Sequence, residues 1–268
     1  MNRIDQTFAG LNGEAALIPF VVAGDPDYGR SLDAIVAILE AGADMVEIGF
    51  PYSDPLADGP VIQAAALRSL QQGHQLPDCF RLIRDVRSKT EKPLIAFTYV
   101  NPVMQYGTER FFRDLAASGG DGVIIPDVPI EEAPELAQMA SQYDISFIPL
   151  VAPTSGEERV RAISAQAHGF VYCVSSLGVT GERSSVASGV KSLVETVKRY
   201  TDLPACVGFG VSTPEHAAEI AAFADGVIVG SAYVRRIEQA QSEGDGSVAE
   251  SVAEFTRQLK NACQRIRL

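Results

Sequence analysis

Met45-Val-Glu-Ile-Gly-Phe-Pro-Tyr-Ser-Asp-Pro-Leu-Ala-Asp-Gly59 reads as a short apolar strand running into a loop dense in carboxylates, prolines and glycines. Side chains alternate across a strand, so Val46 and Ile48 share one face while Met45, Glu47 and Gly49 share the other. Glu47 therefore stands among apolar neighbours. Lost solvation there favours the neutral carboxyl and raises its pKa, at about 1.4 kcal/mol per unit. A plain structural role would be an exposed edge position or a buried Arg or Lys partner; the functional reading is a general acid or base. Further on, Asp58 follows Asp54 in the loop, and the bonds Phe50-Pro51 and Asp54-Pro55 keep this stretch out of helix. Turn and capping work is the bland alternative for both aspartates.

Outward from this stretch the same plan repeats. After a polar opening with a helix over Asp5–Leu11, strands are expected at Ala15–Val22, Met45–Gly49, Leu94–Tyr99, Gly122–Ile125, Ser146–Val151, Phe170–Val174, Ala205–Gly208 and Gly226–Val229. The apolar spacing and glycine stops place helices at Ser31–Ala41, Val61–Gln72, Pro77–Thr90, Gly107–Ala117, Ile130–Tyr143, Glu157–Gln166, Val186–Tyr200, Pro214–Phe223, Ala232–Gln239 and Val248–Arg265. The strands are nearly continuous apolar runs, as expected when both faces are covered. Eight strand-helix cycles in one composition regime predict an α/β fold: a single (β/α)8 TIM barrel spanning residues 1–268. Its extra helices are expected at the N-terminus, in the loop after strand two and at the C-terminus. A doubly wound open sheet is the alternative.

The 268 residues carry a net charge of −12 without a basic run, which argues against a nucleic-acid or anionic-membrane surface. The opening residues have no signal-peptide core, and the apolar run Ala15–Gly24 is too short for a span and contains Pro19. We expect a cytoplasmic protein. Cys79, Cys173, Cys206 and Cys263 form no Cys-x-x-Cys pair, and His74, His168 and His216 lack metal-site spacing, so neither disulfide nor metal centre is expected.

If the barrel is right, chemistry belongs at the strand carboxyl ends. Glu47 and Asp58 fit that rule, and so do three glycine turns: Leu177-Gly178-Val179-Thr180-Gly181, Gly208-Phe209-Gly210, and Gly230-Ser231 before a helix. Free amides at a helix start bind phosphate without a lysine, which suits an acidic chain. Between the turns and Glu47, the residues Phe20, Phe97, Tyr99, Ile125, Tyr172 and Phe209 would line an apolar slot for a flat ring. On residues alone, a phosphosugar or phosphoribosyl isomerase satisfies the same pattern.

The segment Glu-Ile-Gly-Phe-Pro-Tyr-Ser-Asp-Pro-Leu-Ala-Asp-Gly-Pro at 47–60 resembles the defining segment of the tryptophan synthase alpha-subunit family. The likeness continues through Pro19-Phe20, Gly24-Asp25-Pro26, Pro126-Asp127-Val128-Pro129, Gly178-Val179-Thr180-Gly181, Gly208-Phe209-Gly210 and Gly230-Ser231. This resemblance implies a cofactor-free lyase that cleaves indole-3-glycerol phosphate to indole and D-glyceraldehyde 3-phosphate. It further implies an alpha2beta2 heterotetramer, whose beta subunit carries pyridoxal phosphate and turns indole into L-tryptophan. By motif, Glu47 resembles the acid/base at indole C3 and Asp58 the carboxylate that accepts the indole N–H. Gly181, Gly210, Gly230 and Ser231 match phosphate-binding positions, with Thr180 beside them, and Tyr172 matches a tyrosine near the substrate; Phe20, Tyr99 and Phe209 are expected as substrate contacts from the slot itself. Asp58, in a wetter loop, is expected to stay ionised while Glu47 stays neutral. Ser175-Ser176-Leu177 departs from the Ser-Arg-containing form some members carry, which leaves that loop's partner contacts open.

Overall fold

The computed structural model describes residues 2–129, 131–174, 183–208, 210–243 and 248–264. Its strands are β1 (Ala16–Val22), β2 (Val46–Gly49), β3 (Leu94–Phe97), β4 (Gly122–Ile124), β5 (Ser146–Phe147), β6 (Leu150–Val151), β7 (Val171–Val174), β8 (Ala205–Gly208) and β9 (Gly226–Val229). All pair in parallel, in the order β5-β4-β3-β2-β1-β9-β8-β7-β6. β5 and β6 stand at opposite ends of that order, yet they are successive pieces of the one expected strand Ser146–Val151. Pro149 has no N–H to donate and interrupts the ladder. Its carbonyl still accepts from Tyr172 N–H at 3.0 Å, while Ile148 N–H donates to Val123 at 2.9 Å. The sixth element thus continues the fifth and closes an eight-stranded barrel.

Helix α1 (Arg3–Gly10) precedes β1 and α2 (Tyr28–Glu40) follows it; α3 (Pro60–Gln71) and α4 (Leu76–Arg87) follow β2, and α5 (Val100–Tyr106) and α6 (Thr108–Ala117) follow β3. Then come α7 (Ala133–Gln142) after β4, α8 (Glu157–Ser164) after β6, α9 (Arg183–Tyr200) after β7, and α10 (Pro214–Ala221) after β8. Helices α11 (Ser231–Glu243) and α12 (Val248–Cys263) close the chain. None of the described helices is long and apolar enough to cross a membrane.

Alternation divides the core in two. Ile18, Phe20, Met45, Ile95, Phe97 and Ile228 fill the barrel interior. Leu17, Val21, Val46, Ile48, Leu94 and Val227 face outward under the helices. Each such side chain contributes roughly 1.5–3 kcal/mol on full burial. Helix α1 plugs the amino end: Asn2 caps it by accepting from Asp5 N–H at 2.9 Å, Ile4 is fully buried, and Phe8 packs edge-on against Phe170 at 6.0 Å. Gly122 and Gly169 make room there, since a Cβ on either would lie 3.1 or 3.3 Å from Ile4.

The expected architecture is present, with one element more. Asn101-Pro102 reads as a breaker in sequence, but Pro102 is the third residue of α5, where a backbone N–H has no intrahelical partner to lose. Strand β3 therefore ends at Phe97, and Tyr99 is the N-cap of α5 rather than a strand residue. Helix α9 begins at Arg183 and α11 runs from Ser231 to Glu243, both longer than expected. The expected end of the last helix at Arg265, and the expected start of another at Ile130, lie outside the described residues.

Candidate active site

Glu47 sits on β2 between Phe20 of β1 and Ile95 of β3 in register, and is 1% exposed. Its Oε1 has no hydrogen-bond partner among the described residues. Burial alone pushes the carboxyl well above the usual range, because no cation offsets the lost solvation. β2 is central in the sheet, which removes the edge-strand alternative, and no ion pair to Glu47 is present among the described residues.

Asp58 is half-buried at the end of the β2–α3 loop. Its N–H donates to Pro55 at 3.1 Å, and its carbonyl accepts from Gln63 Nε2 at 2.8 Å. Gly59 is the N-cap and Pro60 the first residue of α3, so the turn chemistry falls to them and leaves the Asp58 carboxylate free of capping. Burial pushes that carboxyl up to about 6, against the pull of a hydrogen bond donated by the Tyr99 hydroxyl. Asp58 is thus wetter than Glu47, as expected, though sheltered enough to be raised to about 6. The same Tyr99 oxygen accepts from Ala57 N–H at 3.2 Å. Tyr99 thus orients Asp58 from the N-cap of α5, and Tyr52 packs on its ring at 5.4 Å.

Both carboxylates line one cavity of about 280 Å³, together with Phe20, Phe97, Ile62 and Tyr172. Phe20 and Phe97 meet edge to face at 5.4 Å. Burial, and then the neighbouring Glu47, Cys206 and Asp58, drive the Tyr172 hydroxyl well above its ordinary pKa, so it remains a proton-bearing group. Gly208 lies against Tyr172, where any side chain would collide with the ring. The cavity is also lined by Gly210, Ser212, Gly230, Ser231 and Arg235. Gly210 has φ +81°, which L side chains rarely adopt. Gly230 has no such constraint: a Cβ there meets only ordinary contacts, the nearest being Phe20 at 3.6 Å. The protein's own packing does not require glycine at 230.

The structure therefore brings together Phe20, Glu47, Asp58, Tyr172, Gly210, Gly230 and Ser231, with Tyr99 behind Asp58. Thr180, Gly181 and Phe209 lie outside the described residues. Sequence reading missed Ile62, Ser212 and Arg235. Ile62 was detectable in principle, since it lies within a turn of a predicted helix start facing the site. A larger cavity of about 490 Å³, lined by Ile125, Phe147, Leu150, Arg159 and Val174 among others, contains neither carboxylate. The smaller one, which holds both carboxylates, is the candidate site.

Behind the site, Asp25, 1% exposed in the loop after β1, accepts from Arg68 Nε at 2.8 Å and from Arg68 Nη2 at 3.0 Å. Arg68 Nη1 donates to Glu238 at 2.8 Å. One guanidinium thus joins the β1 loop, α3 and α11. Burial outweighs the arginine's pull and holds the Asp25 carboxyl above its usual range, whereas Asp25 raises Arg68. Among the described residues no group of three or more His, Cys, Asp or Glu side chains is arranged to hold a metal ion, and the four cysteines are buried and free.

Fold and site define an acid–base enzyme on a (β/α)8 barrel, with a neutral buried glutamate, a second carboxylate and backbone-rich turns at the strand carboxyl ends. Residues 8–264 match the family model described as tryptophan synthase alpha chain. The alpha chain of Synechococcus elongatus is 47% identical over 268 residues, covering 99% of this chain and 98% of that one. The alpha chain of a Thermoanaerobacter species is 45% identical, covering 97% and 99%. The crystal structure of the alpha subunit from Legionella pneumophila superposes with a TM-score of 0.90 at 35% identity, covering 98% of each chain. The chain belongs to the tryptophan synthase alpha-chain family and is a carbon–carbon lyase of that family.

Proposed function

We propose that this chain cleaves indole-3-glycerol phosphate to indole and D-glyceraldehyde 3-phosphate by a retro-aldol reaction in the cavity that holds Glu47 and Asp58. The observation that carries the reading is Glu47 itself: fully buried, held neutral, with one carboxyl oxygen unpartnered on the cavity wall. A neutral glutamate can donate a proton to C3 of the indole ring. Once ionised, it can take the proton from the glycerol hydroxyl as the carbon–carbon bond breaks and the aldehyde forms. Asp58, ionised above about pH 6, accepts the indole N–H and stabilises the positive charge that protonation at C3 creates. Tyr99 aims it. Phe20, Phe97, Ile62 and Tyr172 supply apolar walls for the ring, and the Gly210 and Gly230-Ser231 turns take the phosphate through backbone amides at the start of α11. Thr180, Gly181 and Phe209 join the phosphate end in this reading.

The chain works without a cofactor of its own in this account. Its partner is a beta subunit carrying pyridoxal phosphate, in an alpha2beta2 assembly that receives the indole, within the cytoplasm; residues 1–268 act as one barrel domain. The test is indole release from indole-3-glycerol phosphate, with and without a beta chain. Indole formed and strongly increased by the beta chain supports the reading. Conversion of phosphosugars without indole release would favour the isomerase alternative instead.

A further inference from the structure

We infer that Arg235 is a phosphate-recognition residue of this site, adding a cation to what is otherwise a backbone anion cradle. The inference rests on the reading above, in which the phosphate lies at the Gly210 and Gly230-Ser231 end of the cavity. Arg235 lies four positions after Ser231, which places the two on one face of α11, about a single turn apart. Both line the 280 Å³ cavity, and Arg235 is the only Lys or Arg that does so among the described residues.

Neighbouring cations are committed elsewhere. Arg236 lies over the Phe255 ring at 4.1 Å, and Arg68 is held by Asp25 and Glu238. Arg235 is exposed and has no ion pair or hydrogen bond among the described residues. An unpaired guanidinium at the rim of an acidic protein's ligand cavity is therefore available to a ligand.

The charge balance explains why such a group is useful. The chain's net charge is −12 and the cavity already contains Asp58, so a phosphate dianion approaches against a repulsive field. Backbone amides at a helix start act over one turn only, whereas a guanidinium acts at longer range and can donate two parallel hydrogen bonds to phosphate oxygens. Its place one helical turn beyond Ser231, on the wall of the same cavity, makes it a specificity residue for the phosphate.

The experiment compares the native chain with Arg235→Gln and Arg235→Lys, measuring binding of inorganic phosphate, glycerol 3-phosphate and indole by calorimetry at low and high salt. A partly solvated charged hydrogen bond predicts about a tenfold loss of affinity for both phosphate probes in Arg235→Gln, partial recovery in Arg235→Lys, and unchanged affinity for indole. Salt should weaken native phosphate binding more than that of Arg235→Gln. With the beta chain present, KM for indole-3-glycerol phosphate should rise about tenfold while kcat falls less than threefold, the mark of binding shared by ground and transition states. Native-like phosphate affinity in Arg235→Gln, or equal losses for phosphate and indole, overturns the inference. If the native complex releases no indole while phosphate affinity still falls in Arg235→Gln, the substrate reading fails and the phosphate role of Arg235 stands.

Discussion

Glu47 gains nothing for stability from being where it is. Its folded pKa is raised above the unfolded value, so its penalty is absent below the ordinary carboxyl range and grows as pH rises toward the raised value. Glu47→Gln removes that dependence. Urea unfolding should show the variant gaining on the native chain as pH rises above the ordinary carboxyl range; parallel profiles would mean that Glu47 is solvated or paired in solution. Asp58 titrates in a range that activity can read. Lyase activity should fall as pH drops through about 6, where Asp58 takes up its proton. A rate independent of pH between 5 and 7 would remove Asp58 from the chemistry. Asp58→Asn should lose most activity yet keep its affinity for glycerol 3-phosphate, because the anion end is built from other residues. Glu47 was legible in the sequence because a carboxylate in an apolar strand is costly without a purpose. Arg235 was not: an exposed arginine on a helix looks like any solvated charge until the fold shows which cavity it borders.

At the scale of elements, strand alternation foretold which side chains enter the barrel, and β1, β2, β8 and β9 match the sequence reading to within a residue. Helix α5 escaped it, because Pro102 marks a stop in sequence and is harmless in a first turn. The consequence for function is Tyr99, moved from a strand to a helix cap where it holds Asp58. The Arg68 link among the β1 loop, α3 and α11 is a tertiary fact that no local pattern encodes. Arg68→Met leaves Asp25 buried without its cation, and loss of one partner of a buried pair costs about 3–5 kcal/mol. Denaturant unfolding should show such a drop, and a change under 1 kcal/mol would make the link incidental. The glycine turns divide in the same way. Gly210→Val introduces backbone strain at φ +81° as well as bulk, so Gly230→Val is the cleaner probe. It should fold with a native melting temperature and lose most of the rise that glycerol 3-phosphate gives the native chain. An undiminished rise would take that turn out of the site.

The whole molecule presents its site at the carboxyl end of the barrel, where Leu56 is 91% exposed in the β2–α3 loop and Met104 is 65% exposed on α5. Two large apolar side chains offered to water in segments that follow β2 and β3 suit a face that meets a partner, and the family supplies one in the beta chain. Leu56→Asp and Met104→Asp should each reduce the stimulation of lyase activity by a beta chain while leaving glycerol 3-phosphate affinity unchanged; full stimulation in both would place the docking face elsewhere. Because closing the β2–α3 loop would complete the site and exclude water, a partner that prefers the closed arrangement raises activity by shifting that population. The most direct measurement of the central claim is single-turnover indole release by the native chain and by Glu47→Gln, each with a beta chain and each first shown by calorimetry to bind glycerol 3-phosphate equally. Glu47→Gln, folded and fully liganded, should release indole about a hundred- to ten-thousandfold more slowly, the usual worth of one positioned proton transfer. Release at the native rate by that variant would contradict the claim.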